Sequence, residues 1–415
     1  MALAEGVQAS VIYKAYTTGT MTSGSLLSIA SDPASSGGQL LRRTTVSLNL
    51  RKDTYRSAEI RSDRQTGDMR HGIRRVEGSI AGEFSPATYF PLFEAAHRHT
   101  AVSTFNDSNT EFTSAAADNT LSTITMTAGD PVTEGYRVGH IVRFTNMSDT
   151  DNNSRNFVIT GMSGTNGRTW NVYPAPDTMS ADTAFSVTRP GKHTFTPASS
   201  FTSRKFLFEA NNSDVDISRM FKECRITGYR LSLPATGMAT VEIMAMGRDM
   251  EILSGGSAPF FTSPTAISST GILAAVNGAI YVSGTRIAVI TGIDIDYAMA
   301  AEAPAVVGQN FVPEIFLGTA RVTGRFTAMV EDATLFNLFL NETEASILMF
   351  LEAGTTQPAD AASIYMPRVK AAAADMQLSG EAGQIVTVPF EALRYLGSGT
   401  GIEQTTIQIM DTAAS

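Results

Sequence analysis

The spacing of hydrophobic residues changes several times along this chain, and each change marks an element. Val46, Leu48 and Leu50 alternate with Ser47 and Asn49, the period of two that a half-buried strand needs. The alternation then gives way to a long polar stretch, Lys52 through Gly72. It is dense in arginine, with Arg51, Arg56, Arg61, Arg64, Arg70, Arg74 and Arg75 in or beside it. A second strand is predicted from Arg75 to Phe84, with Val76, Ile80 and Phe84 toward the core. A short amphipathic helix is predicted over Thr88–Ala96. Proline inside a helix costs roughly 3 kcal/mol. That cost disappears if Thr88 is the N-cap, because Pro91 then falls where the amide has no intrahelical partner. Tyr89, Phe93 and Ala96 would share one face, an aromatic stripe that reads as core. Leu41 to Arg98 is thus one unit: strand, long charged loop, strand, helix.

Elsewhere the pattern is mostly β. Residues 1–38 contain one apolar run, Val11-Ile12-Tyr13, and then a Gly/Ser/Thr-rich stretch, which together read as an arm or edge strand plus linker. Residues 101–196 are rich in Thr, Ser, Asn and Asp. Strand candidates there are Leu121–Met126, Val138–Phe144, Asn156–Thr160 and Thr169–Tyr173, separated by turn signals such as Asp151-Asn152-Asn153 and Thr165-Asn166-Gly167. They predict a small all-β barrel or sandwich holding Trp170. Ile226–Leu233 and the alternation Val241, Ile243, Ala245 predict a hairpin around Pro234–Gly237. Residues 253–268, with Ser254-Gly255-Gly256, Pro259 and Pro264, read as a linker. Residues 269–411 read as strands plus one helix over Thr334–Glu352. The apolar region Gly271–Ile293 is broken by Asn277, Gly278, Gly284 and Arg286, so it predicts two strands and a turn. A membrane helix needs roughly 20 mostly apolar residues.

The chain also repeats itself. RVEGSIAGEFSPATYFPLF at 75–93 lies on RVTGRFTAMVEDATLFNLF at 321–339 without a gap, 246 residues apart. Arg75, Val76, Gly78, Ala87, Thr88, Phe90, Leu92 and Phe93 recur as Arg321, Val322, Gly324, Ala333, Thr334, Phe336, Leu338 and Phe339. Thr334 is placed to cap its helix as Thr88 does. Upstream, Val46, Leu48 and Leu50 match Ile293, Ile295 and Tyr297 at 247. Downstream, Val241, Ile243 and Ala245 match Val386, Val388 and Phe390 at 145. The offset falls by about the length of the 101–196 region. Either two strand–helix units are similar by chance, or a domain is duplicated and its first copy carries an insertion. The ordered run of three matches favours duplication. The expected organisation is an N-terminal arm (1–38), a first domain (39–100 with 197–252), an inserted all-β domain (101–196), a linker (253–268) and a second domain (269–415).

Composition narrows the function. At 415 residues and 43% hydrophobic content the chain exceeds one ordinary core and should fold. Only 17% of residues are charged. That fits a surface partly buried against copies of itself, or a simple compositional bias. A formal net charge of −9 disfavours tight binding of duplex DNA, while DNA sliding past stays compatible. The single cysteine, Cys224, excludes an intramolecular disulfide and reads as a small buried residue. The N-terminus carries no secretory pattern. No phosphate loop, nucleophile elbow or zinc motif is present. His71, His97, His99, His140 and His193 form no ligand spacing, and no acid–base pair stands out. Neither an enzyme nor a cofactor is expected.

The arginine-rich loop is the remaining unusual feature. Asp53, Glu59, Asp63 and Asp68 interleave with its arginines, so it is not uniformly basic. Three readings stand: docking against a complementary protein surface, a solvated loop, and nucleic-acid contact. Alternating signs and the rarity of structureless loops of about 20 residues favour docking.

The stretch RKDTYRSAEIRSDRQTGDMRHGIRRVEGSIAGEFSPATYFPLFEAAHR resembles the major tail tube proteins of long-tailed, siphovirus-like bacteriophages. The charged K-D-T-Y-x-S-x-E-I-x-S-D-R-Q loop, V-E-G-S-I-x-G-E and the aromatic helix carry the resemblance over about 60 residues; the second unit is similar only in outline. The resemblance implies a mainly β fold. It would have two tail-tube-type β-sandwich or barrel domains, each with a flanking helix, and the 101–196 insert as a decorating domain. It implies rings that stack into a hollow tube for genome delivery, in the virion tail, with no membrane. Such rings are usually sixfold, so two tube domains per chain imply trimeric rings with pseudo-sixfold symmetry. The implied partners are further copies of the chain, the tape measure protein and genomic DNA in the lumen, and tail terminator and distal tail proteins at the tube ends. The resemblance makes Lys52, Asp53, Tyr55, Arg56, Glu59, Arg61, Asp63, Arg64, Asp68, Arg70 and Arg74 an inter-ring stacking loop. Alternation then makes Ser47, Asn49, Glu77, Ser79, Glu83, Asp294, Asp296, Thr323, Arg325 and Thr327 lumen-facing, on a surface expected to be acidic on balance. The second loop, Met299–Gly318, lacks the arginines, so the two loops should make different contacts. The competing reading is a carbohydrate- or receptor-binding β-module of a tail tip or baseplate.

Overall fold

A computed structural model describes residues 3–16, 31–331, 333–376 and 383–415. The chain is mainly β, with large antiparallel sheets, as expected. Part of the Gly/Ser/Thr-rich arm lies outside the described residues. The strands that build the two halves are numbered here in chain order. The first half holds β1 (Ala9–Ala15), β2 (Asn49–Arg56), β3 (Met69–Glu83), α1 (Phe90–Ala96), β4 (Phe206–Asn212), β5 (Ile217–Pro234), β6 (Thr240–Gly247) and β7 (Asp249–Ser254). The second holds β8 (Gly278–Val282), β9 (Ile290–Glu302), β10 (Phe316–Met329), α2 (Thr334–Leu340), β11 (Ala345–Glu352), β12 (Ala361–Ala371), β13 (Ile385–Ala392) and β14 (Gln408–Asp411).

The two halves repeat each other strand for strand, and the register repeats too. In the first, Glu83 pairs Thr240 and Val76 pairs Gly247; in the second, Met329 pairs Ile385 and Val322 pairs Ala392. Asn49 opposite Glu77 recurs as Asp296 opposite Thr323. Phe206 opposite Cys224 recurs as Ala345 opposite Val369, and the same irregularity follows each pair. A matched glycine shows the packing reason. A Cβ on Gly78 would lie 2.4 Å from the Ser47 carbonyl oxygen, and one on Gly324 would lie 2.5 Å from that of Asp294, its counterpart. Only glycine lets the two strands approach this closely.

Alternation buries one face of these strands. Val76, Ile80, Val241, Ile243, Leu231, Ile295, Val322, Phe326, Val388 and Phe390 fill one core shared by both halves. The halves join where β5 pairs β9, with Tyr229 opposite Tyr297 and Arg230 opposite Asp296. The two tyrosine rings stack at 4.9 Å. α1 lies over this joint, with Phe93 edge-on to Tyr229 at 4.9 Å and Tyr297 Oη donating to the Ala96 carbonyl over 3.3 Å.

Residues between Phe105 and Arg189 form a separate row of eight antiparallel strands. Its core holds Trp170, Tyr136, Phe112, Phe144, Phe157 and Phe185. Although it interrupts the first half, this module sits on the second. Val138, Ile141 and Val158 pack with Leu348, Phe350 and Tyr365. Asn156 Nδ2 donates to Glu352 Oε1 over 2.7 Å, and Arg143 Nη2 to the Ala359 carbonyl over 2.8 Å.

Several local expectations are corrected. Thr88 is not the N-cap: Tyr89 holds that position, and Pro91 falls within the first turn, where it is still tolerated. The Thr88 hydroxyl instead bonds Ser85 at 2.7 Å and Ser268 at 2.6 Å. The second helix has Ala333 at its N-cap position, and the side chain of Thr334 lies outside what is described. The predicted Thr334–Glu352 helix ends at Leu340. Ala345–Glu352 is a strand, because an apolar run buried on both faces carries no period to distinguish it from helix. Val11-Ile12-Tyr13 is wholly buried in β1, between β4 and Gln39–Leu40, rather than an arm. Lys192–Phe195 pairs with β14 in the larger sheet system instead of joining the insert. The 253–268 segment is tied down by parallel bridges from Ser36 to Thr262 and from Gln39 to Thr265.

Candidate assembly surfaces

Two surfaces collect the residues that the sequence singles out. The first is the polar face of the sheet formed by β2, β3, β6, β5, β9, β10 and β13. Ser47, Asn49, Glu77, Ser79, Glu83, Asp294, Asp296, Thr323, Arg325 and Thr327 alternate with core residues and share this face. Pairing also brings to it Arg230, Glu242, Arg321 and Glu391, which the sequence reading missed. The expectation of an acidic surface needs correction, because cross-strand arginines neutralise most of the acids. Arg230 reaches Asp296 at 2.8 Å and Glu242 at 3.3 Å; Arg325 reaches Asp294 at 2.9 Å; Arg321 reaches Glu391 at 2.9 Å. Arg75 and Arg51 reach Glu77 at 2.5 and 3.3 Å. Burial would raise the Asp294 carboxyl, but hydrogen bonds from Ser232 and Arg325 outweigh it and hold the group below its usual value. These half-exposed pairs contribute at most about 1 kcal/mol each. Their larger effect is to leave the face polar and close to neutral. Register between strands decides which charges meet, so no single strand's sequence carries that signal.

The second surface is the arginine-rich segment. It is less a loop than a projecting hairpin. β2 and β3 stay paired out to Arg56 opposite Met69, and only residues 57–68 are irregular. Thr54 and Tyr55 favour continued pairing through this polar sequence, and a bulge after Lys52 adds local bend and twist. Lys52, Tyr55, Arg56, Glu59, Arg61, Asp63, Arg64, Asp68 and Arg70 are exposed, and Asp53 is half-buried. Arg61 bonds Asp63 at 3.2 Å and Arg70 bonds Asp68 at 2.9 Å. Among the described residues Arg56 and Arg64 make no ion pair, and both are exposed. Ile60 stands fully exposed at the tip, an apolar side chain among charges. Arg74 departs from the group: it bonds Asp249 at 2.8 Å, and its amide donates to the Asn310 carbonyl.

The corresponding segment of the second half, between β9 and β10, folds back instead of projecting. Val312 and Ile315 pack on Ile73 at the hairpin base. A buried ionic cluster holds them there. Arg248 and Glu223, both fully buried, meet at 2.7 Å, and Arg248 Nε donates to the Val312 carbonyl over 2.8 Å. Lys205 reaches Glu223 and Glu314 at 2.8 Å each, and Arg225 Nη1 donates to the Ile315 carbonyl over 2.8 Å. Lys205, Arg248 and Glu314 come from stretches well separated from Glu223 and Arg225, and no motif links them.

Among the described residues no group of His, Cys, Asp and Glu could hold a metal, and no helix is long and apolar enough to cross a membrane. Cys224 is buried, and burial pushes its thiol well above the usual range. A search of curated proteins returns no match. The model of the family described as phage tail tube protein matches residues 6–392, spanning both halves, the insert and both surfaces. The chain belongs to the phage tail tube protein family.

Proposed function

We propose that three copies of this chain form a ring of pseudo-sixfold symmetry, and that such rings stack into the tail tube of a siphovirus-like phage that delivers the genome. The observation that carries this is the register-matched pair of halves joined edge to edge at β5–β9. One chain already supplies two consecutive ring positions, each a duplicated tube domain, the first carrying the inserted domain. The near-neutral polar face would line the lumen, where genomic DNA and the tape measure protein pass. Its paired charges offer phosphates neither strong attraction nor strong repulsion. The β2–β3 hairpin would dock on the adjacent ring. The tube ends would meet tail terminator and distal tail proteins. The role is structural and needs no cofactor. Microscopy of purified tubes tests the reading: averaged end-on views should show a threefold ring with six similar lobes. A ring of six copies, or monomers at every concentration, would refute it.

A further inference from the structure

The repeat extends ahead of β1, and there the two halves differ in what they touch. β1 corresponds to β8, because Tyr13 opposite Phe208 recurs as Val282 opposite Ile347. Each strand follows a 3-10 turn, Gly6–Gln8 before β1 and Ala275–Asn277 before β8. The Gln8 amide donates to the Glu5 carbonyl over 3.1 Å, and the Asn277 amide to the Ala274 carbonyl over 3.3 Å. Leu3, Ala4 and Glu5 therefore correspond to Ile272, Leu273 and Ala274.

The later segment is a strap. It lies back on the rim of the first half, where β3 ends and β6 begins. The Leu273 amide donates to the Phe84 carbonyl over 2.9 Å, the Ala239 amide donates to the Leu273 carbonyl over 2.9 Å, and Ala274 lies opposite Met238. The Leu273 side chain is fully buried. The earlier segment straps nothing. Leu3 is 85% exposed, and the backbone of Ala4 bonds no described residue.

The second half carries the matching rim, uncovered. Val330 and Gln384 are the counterparts of Phe84 and Ala239. The Phe84 amide donates to the Ala239 carbonyl over 2.8 Å, and the Val330 amide to the Gln384 carbonyl over 3.0 Å. The groups that would receive a strap, the Val330 carbonyl and the Gln384 amide, bond no described residue. Val330 is 36% exposed where Phe84 is 2%. A cavity of about 570 Å³, lined in part by Val289, Met329, Glu331 and Leu335, adjoins this rim. In the first half the corresponding ground is covered by Thr270 of the strap, whose carbonyl accepts from Arg42 and whose hydroxyl donates to the Pro86 carbonyl. A strap with an unused donor and acceptor, and a rim with an unused acceptor and donor, do not meet within one chain. They fit each other between two copies.

We infer that residues 3–5 of one copy strap the Val330–Gln384 rim of its neighbour, with Glu5 opposite Gly383. The inference rests on the ring reading above, which sets the first half of one copy beside the second half of another as the two halves lie within a chain. The Ala4 amide then donates to the Val330 carbonyl, and the Ala4 carbonyl accepts from the Gln384 amide. Ala4 stands for Leu273 and Val330 for Phe84, so this contact buries less apolar surface than the internal one. Its backbone hydrogen bonds carry more of it.

Proline has no amide hydrogen to donate. Ala4→Pro should therefore raise the concentration needed for rings about fivefold, and Ala4→Ser, which keeps the amide, should leave it unchanged. The segment is exposed in the single chain, so both monomers should melt as the unmodified one does. The direct test is a Glu5→Cys, Gly383→Cys double variant of the full chain, oxidised as assembled rings and run without reductant. Directly opposed antiparallel residues lie about 4.5–5.5 Å apart at Cα, within disulfide reach. A Cβ on Gly383 meets nothing within 4 Å, and the native Cys224 is buried. The expected result is linked dimer and trimer and nothing larger, with the slipped pair Val7→Cys, Gly383→Cys linking about tenfold less. With rings visible in the same preparation, no linkage, equal linkage of the slipped pair, or a ladder running past trimer would overturn the strap and spare the ring reading. Absence of rings in the unmodified protein would overturn both.

Discussion

At the residue scale, the buried charges decide most. Glu223 and Arg248 hold the second half's connection against the first, and removing one leaves the other charged and buried. Glu223→Ala should cost about 3–5 kcal/mol in denaturant unfolding, far more than loss of any pair on the exposed face. A loss under 1 kcal/mol would show that the cluster relaxes or hydrates. The histidines give a pH dependence. His140 and His193 face each other at 4.5 Å between ring centroids, and burial first, then nearby positive charge, holds both well below the usual value. Burial lowers His97 to about 3 as well. Each must gain a proton on unfolding. Their contribution is complete above about pH 6.5, and it is lost progressively as pH falls from there toward the lowered folded-state values, about 3 for His97. Asp411 opposes them: burial pushes it up to about 7, so its contribution is largest at low pH and lost as pH rises through about 7. Three imidazoles outweigh one carboxyl, so the thermal midpoint should fall from pH 7 to pH 5. Asp411→Asn should steepen the fall and His140→Gln should flatten it.

At the element scale, the hairpin and its folded-back counterpart occupy the same place in the two halves and take two shapes. The first is long, charged and β-propensive, so it projects as a paired ribbon. The second contains Ala303-Pro304-Ala305-Val306-Val307 and offers Val312 and Ile315 to a cluster with Ile73, so it collapses onto the body. Stacking should then depend on the first alone. Replacing residues 57–68 with a two-residue Asn-Gly turn keeps the paired strands and should leave rings that fail to stack, seen as isolated rings by microscopy. Ile60→Glu should weaken stacking at least tenfold in the concentration needed for tubes, because an exposed apolar tip among charges suits a central contact. Tubes forming normally in both variants would remove the hairpin from the interface.

At the scale of the whole molecule, the neutral polar face is the feature most open to test. Glu83 has no ion pair among the described residues, and Thr323 is uncharged and half-exposed. Glu83→Lys with Thr323→Lys adds positive charge without breaking a pair, so tubes should assemble as before. Phages carrying the variant should eject DNA more slowly, by several-fold in low salt and less in high salt. Equal ejection rates at all salt concentrations would mean that this face does not meet DNA.

Much of this architecture is legible in the sequence itself. Alternation placed β3, β5, β6 and β13 and told their core side from their polar side, because a strand's period of two is local. Offsets that hold at 246–247 before the insert and at 145 after it made the two halves visible, because register-matched strands need matching spacings. Composition pointed away from tight nucleic-acid binding. Other features depended on partners distant in sequence. Ala345–Glu352 became a strand only through pairing with β8 and β12. The arginines across from Asp294, Asp296 and Glu391 turned an acidic face into a neutral one, which depends on register between strands. The insert settled on the half it does not interrupt, and the second connection folded back onto buried Arg248. Periodicity along a chain records which way each side chain points. What it points at is decided by strands and charges that meet only when the chain has folded.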